Sequence, residues 1–304
     1  MIQALEKFPI CIIGAGNMGG GIARNLLSKG WPVSVHDIDS VKVRNLESLG
    51  ALATDFYTGL ATNSVVFIIC VVDATQTRDV LFGANGIAKT IPLGRTVMLC
   101  PTMSPQDVEQ FAHDLNALGV HTIDAPMSGG PVRAAQGTMS LMVACPVNVF
   151  ERHQSLINAL SNKVFRISEK PGDAARTKLV NNLLAAINLA GAAEVMVMAQ
   201  KMGLDLAKTL AVIEQSSAQS WIGSERMHRA LVGDYAPRAH MTLLEKDSRL
   251  AIEAARAVGF EGPLGAHARD VFAQASAGGL ANLDDAALFK WFADGSNQTI
   301  ADKA

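Results

Sequence analysis

No long run of basic residues occurs in these 304 residues, and the formal net charge is −2. Neither nucleic acid nor an anionic membrane is therefore expected as a partner. The four cysteines, Cys11, Cys70, Cys100 and Cys145, form no CxxC pair, and three of them lie in apolar, strand-like runs. They read as small core residues in a reducing compartment rather than as staples or zinc ligands. The seven histidines show no HxxxH or HExxH spacing, so no metal site is expected. MIQALEKFPICIIG carries no charged leader followed by a cleavable apolar stretch, which gives a cytoplasmic expectation. The longest apolar stretch, Leu183 to Ala199, contains Asn188 and Glu194 and lacks positive flanks, so it is expected in a helical core and not across a membrane. No internal repeat or low-complexity linker interrupts the chain.

What is present describes a globular protein: 49% hydrophobic and 18% charged residues, at a length that favours two domains. Phe8 to Ile13 (FPICII) is an apolar strand candidate running straight into GAGNMGG and then a helical pattern stopped by Gly30. Gly14, Gly16 and Gly19 fit GxGxxG between strand and helix. Gly14 permits the tight turn, Gly16 lets a pyrophosphate approach the backbone, and Gly19 lets helix and strand pack closely. The motif alone is weak, because 26 of the 304 residues are glycine.

The second strand candidate, Pro32 to His36, ends at Asp37, 23 residues after Gly14. An acid there accepts hydrogen bonds from the adenosine ribose and repels a 2′-phosphate. The competing reading is a solvated turn or the cap of the next helix, for which Asp39 also competes. Lys42 and Arg44 stand near enough to keep NADP open. NAD is the expected cofactor, ahead of NADP.

Further strands are expected at Ser64 to Val72, Thr96 to Cys100 and Val120 to Asp124, alternating with helices at Thr75 to Leu81 and Ser104 to Leu118. Continuous apolar strands between helices predict a parallel sheet covered on both faces. Loops at the carboxyl ends of its strands should line the cofactor crevice. They are Val72-Asp73-Ala74-Thr75, Cys100-Pro101-Thr102-Met103-Ser104 and Ala125-Pro126-Met127-Ser128-Gly129-Gly130. In the last, Ser128, Gly129 and Gly130 offer a hydroxyl and successive unhindered N–H groups, a cradle for a carboxylate; an ordinary glycine turn is the alternative.

From Gly172 to Gly203 the chain reads as one helix of about 28 residues, with Asp173 as N-cap and Lys201 then Gly203 as the stop. Apolar residues cover nearly all its faces, which implies burial on several sides. Lys178 and Asn182 are four apart and share a face. A buried lysine is costly unless something pairs with it or uses it, the bland alternative being a snorkelling side chain. Beyond Gly203 only helices are expected: Asp205 to Gln215, Trp221 to Val232, Met241 to Val258, Ala266 to Ala277 and Asp284 to Phe292. The expected architecture is an α/β Rossmann-type N-terminal domain with a parallel sheet over residues 1–170. An all-α domain over residues 171–304 follows, joined by the long helix. Glu245-Lys246-Asp247 interrupts a helix otherwise apolar at helical spacing, and Lys246 reads either as surface charge or as a group reaching into the interdomain cleft.

These segments together resemble the β-hydroxyacid dehydrogenases, which include 3-hydroxyisobutyrate dehydrogenase and tartronate semialdehyde reductase, along nearly the whole chain. The signatures are GAGNMGGGIARNL from Gly14, DAPMSGGPVRAAQGTMSLMV from Asp124, GDAARTKLVNNLL from Gly172 and LLEKDSRLA from Leu243. The resemblance implies that Lys178 is the catalytic lysine, Asn182 its hydrogen-bonding companion, and Ser128, Gly129 and Gly130 the substrate-carboxylate site. It implies Lys246 as the C-terminal lysine at the closing cleft, against substrate and cofactor, and Thr102 near the nicotinamide. Gly14, Gly16, Asn17, Met18, Gly19, Asp37, Val72 and Asp73 complete the cofactor set. NADP-preferring members usually carry an arginine just after the second strand, where this chain has Asp37 and Ile38. SSAQSWIGSERMHRALVGDYAPR, from Ser216, resembles the L-threonate dehydrogenase branch, whereas Asn181-Asn182 resembles the hydroxyisobutyrate branch. The chain lacks the extra length of the decarboxylating phosphogluconate enzymes, and Lys178 separates it from the imine reductases.

Oxidising a hydroxy acid needs a base for the hydroxyl proton while hydride leaves the same carbon for the nicotinamide. A lysine serves if its pKa falls toward neutral, as burial and the positive ring would make it do. The expectation is NAD-dependent hydride transfer with a 3-hydroxyisobutyrate-type or L-threonate-type acid bound between the domains, Lys178 acting as acid and base and Asn182 orienting the substrate. One alternative is NADPH-dependent reduction of tartronate semialdehyde, glyoxylate or succinic semialdehyde. A dinucleotide-sensing scaffold is another, and the intact lysine and carboxylate loop argue against it. The apolar surface of the helical half needs cover, so a homodimer or homotetramer is expected.

Overall fold

Short continuous apolar runs such as ICII and VFII are consistent with strands covered on both faces. The computed structural model describes residues 7–53 and 63–295. Its strands are β1 (Ile10–Ile13), β2 (Val33–His36), β3 (Leu52–Ala53), β4 (Val66–Ile69), β5 (Thr96–Leu99), β6 (His121–Asp124), β7 (Met127–Ser128), β8 (Ser140–Ala144) and β9 (Lys163–Ser168). They pair in the order β3-β2-β1-β4-β5-β6-β8-β7, with β9 on β8. Ile10 stands beside Val33 on one side and Val66 on the other, both in parallel register. Alternate residues of β1 face opposite ways, as period-2 geometry requires. Ile10 and Ile12 join Ile22, Leu26 and Val35 in one core, and Cys11 and Ile13 join Phe67, Phe111 and Leu115 in the other.

The expected parallel arrangement covers six strands and then reverses. β8 runs antiparallel to β6, with Asp124 opposite Ala144, and antiparallel to β7, with Ser128 opposite Ser140. An antiparallel partner can be reached by a short connection, which a parallel crossover cannot use. The helices around this sheet are α1 (Asn17–Ser28), α2 (Ser40–Glu47), α3 (Ala74–Phe82), α4 (Pro105–Ala117), α5 (Gly130–Gln136), α6 (Val147–Arg152) and α7 (Gln154–Leu160).

The chain divides into two compact units, and the division falls inside one helix, between Lys178 and Leu179. That helix is α8 (Asp173–Lys201), 29 residues long. The Gly172 carbonyl accepts the Arg176 N–H at 2.9 Å, so Asp173 lies in the first turn and not at the cap position expected for it. Beyond the last turn Gly203 adopts φ of +74°, the left-handed stop that glycine favours. By length and composition α8 is the one helix among the described residues able to cross a membrane, with 44% of its apolar window buried in the protein.

The second unit continues as α9 (Leu206–Glu214), α10 (Trp221–Leu231), α11 (Met241–Ala257), α12 (Pro263–Ala275) and α13 (Leu288–Ala293). Ala186, Leu189, Ala193, Met196 and Val197 of α8 form one core with Leu210, Met227, Met241, Leu244, Phe272 and Phe289.

Candidate active site

Two of the loop glycines are required by what touches them. A side chain on Gly19 would stand 1.9 Å from the Gly14 carbonyl oxygen, and one on Gly14 would stand 2.6 Å from that of Cys70. Gly14 also holds φ of +95°. Gly16 differs, because a Cβ there would meet nothing within 4 Å. That open space lies at the N-terminus of α1, which has no side-chain cap and whose dipole favours an anion. The loop therefore fits a dinucleotide pyrophosphate, with Asn17 and Met18 forming the first turn.

Asp37 follows β2 and turns both carboxylate oxygens onto backbone: Oδ2 accepts the Ala15 N–H at 2.6 Å and Oδ1 the Asp39 N–H at 2.8 Å. It thereby ties the second strand to the glycine loop. The cap of α2 is Asp39, which accepts from Val41 at 2.9 Å. Both cations noted near Asp37 are engaged locally. Lys42 lies 3.5 Å from Asp39, and Arg44 donates to the Ser40 hydroxyl at 3.1 Å. Ile38 is 98% exposed.

The remaining loop residues also follow strand ends. Half-exposed Val72 donates its N–H to the Gln76 side chain at 3.1 Å, and the Asp73 carboxylate caps α3 by accepting from Gln76 at 2.9 Å. Thr102 is half-buried between buried Pro101 and Met103, ahead of Ser104, which caps α4. After β6 comes Ser128, half-buried, then Gly129 and Gly130 with φ of +129° and +75°.

Lys178 is 6% exposed, one turn into α8. The start of that helix is held from three directions. Arg176 donates to Glu109 at 2.6 Å and to Asp173 at 2.9 Å, and the Ser168 hydroxyl donates to Asp173 at 2.7 Å. Asp124, the buried last residue of β6, accepts the Gly172 N–H at 2.8 Å and the Ala175 N–H at 3.1 Å through Oδ2. Burial pushes the Asp124 carboxyl up to about 6, against the pull of the Ala175, Gly172 and Ala174 N–H groups.

In the second unit Asn182 is 8% exposed, its Nδ2 donating to Asp247 Oδ2 at 2.6 Å while Oδ1 accepts from Asn181 at 2.9 Å. Lys246 Nζ lies 3.1 Å from Asp247 Oδ1. Asp247, 6% exposed, thus joins Asn182 to Lys246, two residues singled out from sequence, and was itself missed there. The signal was present: a buried acid inside the charged triplet Glu245-Lys246-Asp247 on an otherwise apolar helix. Among the described residues no group of three or more His, Cys, Asp or Glu is arranged to hold a metal ion.

A glycine loop of this construction, at the carboxyl ends of a mainly parallel sheet, defines an NAD(P)-dependent oxidoreductase. Residues 9–168 match the family model described as the NAD binding domain of 6-phosphogluconate dehydrogenase. Residues 172–292 match the one described as NAD-binding of NADP-dependent 3-hydroxyisobutyrate dehydrogenase. An L-threonate dehydrogenase of Haemophilus influenzae is 34% identical over 294 residues, covering 94% of this chain and 96% of the relative. A 2-hydroxy-3-oxopropionate reductase of Escherichia coli is 32% identical, covering 91% and 94%. The crystal structure of a 3-hydroxyisobutyrate dehydrogenase from Salmonella typhimurium superposes with a TM-score of 0.88 at 35% identity, covering 93% of this chain and 99% of that one. The chain belongs to the β-hydroxyacid dehydrogenase family, whose members interconvert hydroxy acids and their oxo forms with a nicotinamide dinucleotide.

Proposed function

We propose that this enzyme oxidises a small sugar acid of the L-threonate type with NAD, Lys178 taking the hydroxyl proton. The observation that carries the reading is the buried Lys178 side chain one turn into a helix whose start is tied to the strand end preceding Ser128-Gly129-Gly130. A proton acceptor in hydroxy-acid oxidation is best placed where water is excluded and its position is fixed, and Lys178 meets both conditions. The bound dinucleotide supplies the hydride acceptor. The chain's own groups do the rest. Successive N–H groups at Ser128, Gly129 and Gly130 receive the substrate carboxylate, and Asn182 orients the substrate without changing charge, its rotamer held by Asp247. Lys246 and Thr102 belong to the same set. With the hydroxyl held, Lys178 accepts its proton as the carbon–hydrogen bond breaks, and returns one in the reverse direction.

Preference for NAD rests on Asp37, whose carboxylate would repel a 2′-phosphate, and on Lys42 and Arg44 being engaged with Asp39 and Ser40. Support for the substrate class comes from the L-threonate dehydrogenase relative. The reductase relative favours a second reading, reduction of a short semialdehyde with NADPH. In the proposed division of labour, residues 1–170 bind dinucleotide, while residues 171–304 contribute to the substrate site and to a homo-oligomer. The exposed Val180, Leu184 and Met198 of α8, with Met202 just beyond it, support the oligomer. Four free thiols agree with a cytoplasmic setting.

The test is NADH or NADPH formation from L-threonate, 3-hydroxyisobutyrate, D-glycerate, 4-hydroxybutyrate and 3-hydroxypropionate. L-threonate with NAD should exceed every other pair. Faster turnover of a different acid would replace the substrate class, and faster turnover with NADP would remove the role given to Asp37.

A further inference from the structure

A helix leaves its first N–H groups without partners, and a cap side chain usually accepts the third of them. At α8 the cap position is Gly172, which has no side chain and holds φ of +100°. The next residue, Asp173, directs its carboxylate to Ser168 and Arg176. The acceptor for the Ala175 N–H comes instead from Asp124, 51 residues earlier in the chain. Asp124 is 1% exposed and makes no salt bridge among the described residues. Its place is rigid, because β6 sets it beside Leu99 on one strand and Ala144 on the other. One residue later begins the loop to Ser128, Gly129 and Gly130, and Lys178 stands three residues beyond Ala175. A single carboxylate therefore links the strand end that launches the carboxylate loop to the turn that launches the lysine.

We propose that Asp124 is a positioning residue for hydride transfer, fixing the depth and rotation of the first turn of α8 so that Lys178 is presented to substrate held by the Ser128–Gly130 loop. This rests on Lys178 being the acid and base. At φ of +100° a side chain on Gly172 would be strained and would strike Glu109, so the cap position itself offers no side-chain acceptor. A carboxylate reaching from the sheet transmits the position of one loop to the other. Displacing a reacting group by about 1 Å is enough to cost about a hundredfold in rate.

The experiment compares the full-length parent with Asp124→Asn, Asp124→Ala, Lys178→Ala and the double variant Asp124→Asn/Lys178→Ala, using the acid that the parent oxidises fastest. The quantities read are kcat and KM, Kd for NAD, and the unfolding temperature. Asp124→Ala should lose about thirtyfold or more in kcat with Kd for NAD within about twofold of parent, and Asp124→Asn, which keeps one acceptor oxygen, should lose less. Added to Lys178→Ala, Asp124→Asn should change the residual rate by less than about twofold, because the lysine it positions is gone. Parental kcat in the folded fraction of both Asp124 variants, with only the unfolding temperature lowered, would reduce Asp124 to a structural cap. Losses that multiply in the double variant would show that it acts other than through Lys178. If Lys178→Ala itself kept parental turnover, the lysine assignment would fall and this proposal with it. An inactive Lys178→Ala beside fully active Asp124 variants would overturn the positioning role alone.

Discussion

Asp124 in the first unit and Asp284 in the second are equally hidden from water, at 1% and 0% exposure, yet their carboxyls are driven in opposite directions. Burial raises both. At Asp284 it is outweighed by the N–H groups of Ala239, Ala286 and Arg238, and the carboxyl sits below its ordinary range. Arg229 adds a charge-assisted bond at 2.9 Å. Asp284 thus fastens the segment before α11 to the end of α10 through its bonds to Arg238, Ala239 and Arg229. Asp124 is drawn down by the Ala175, Gly172 and Ala174 N–H groups but has no such arginine bond, and burial prevails, leaving it near 6. The difference teaches where each unit places its buried carboxylates: the second surrounds one with N–H groups and an arginine as a staple, the first sets one against backbone alone at the start of the lysine helix.

The largest effect that would sharpen this contrast is on rate. Lys178→Ala should lower kcat by about a thousandfold while leaving the fold intact, since it removes a costly buried amine. Steady-state turnover at saturating acid and NAD measures the first, and thermal unfolding the second. Next comes the staple. Arg229→Ala removes the nearer of two guanidiniums at Asp284, leaving Arg226 at 3.7 Å, and should cost about 2–3 kcal/mol in urea-induced unfolding. A cost below about 1 kcal/mol would mean that the backbone N–H groups and Arg226 hold the anion without Arg229, and the staple would lose its arginine.

Smaller effects separate backbone roles within the first unit. Gly16→Ala should weaken NAD binding by about tenfold, near 1.4 kcal/mol, with an unchanged unfolding temperature, because its Cβ would enter the open space over the loop. Gly19→Ala should do the reverse and lower stability, because its Cβ would strike the Gly14 carbonyl. Equilibrium NAD titration and thermal unfolding on both variants decide between these outcomes.

The smallest expected effect is on pH dependence. The Asp124 carboxyl is raised in the fold from 3.8 to about 6, so the folded chain binds its proton more tightly than the unfolded chain does. Its contribution to stability is complete below about pH 4 and is lost as pH rises through about 6. Buried His153 is lowered to about 4 by desolvation, so its contribution runs the other way, growing as pH rises from about 4 to 6.5. Asp124→Asn should therefore remove the falling component and leave a profile that climbs more steeply across pH 4–6. An unchanged profile by urea unfolding at several pH values would show that Asp124 does not titrate in this window.

Much of the fold was legible because its signals are local. Four apolar strands with a glycine loop between the first strand and its helix, and a lysine and asparagine four apart, are read within one or two turns of chain. The stretch from Gly130 to Ser168 was not. SLMVA of β8 is a short apolar run that periodicity cannot assign, and exposed β9 lacks any hydrophobic alternation strong enough to announce a strand. Asp173 was expected as the helix cap and Asp247 went unremarked beside Lys246, because the partners that decide both roles lie outside their own segments. The Asp124 to Gly172 bond spans 48 residues and the Asn182 to Asp247 bond spans 65.

By itself, then, the amino-acid order determined the alternation of strands and helices, the glycine loop that admits a dinucleotide, and the membership in a hydroxy-acid oxidoreductase family. These follow from spacing along the backbone, which acts over a few residues. Only the tertiary structure decided that the sheet reverses at β8, that Asp124 and not Asp173 takes the Ala175 N–H at the start of the lysine helix, and that Asp247 holds Asn182. Each of those depends on which polar groups are driven out of water together, and a buried carboxylate takes whatever donor the packing brings to it, however far away in the chain that donor lies.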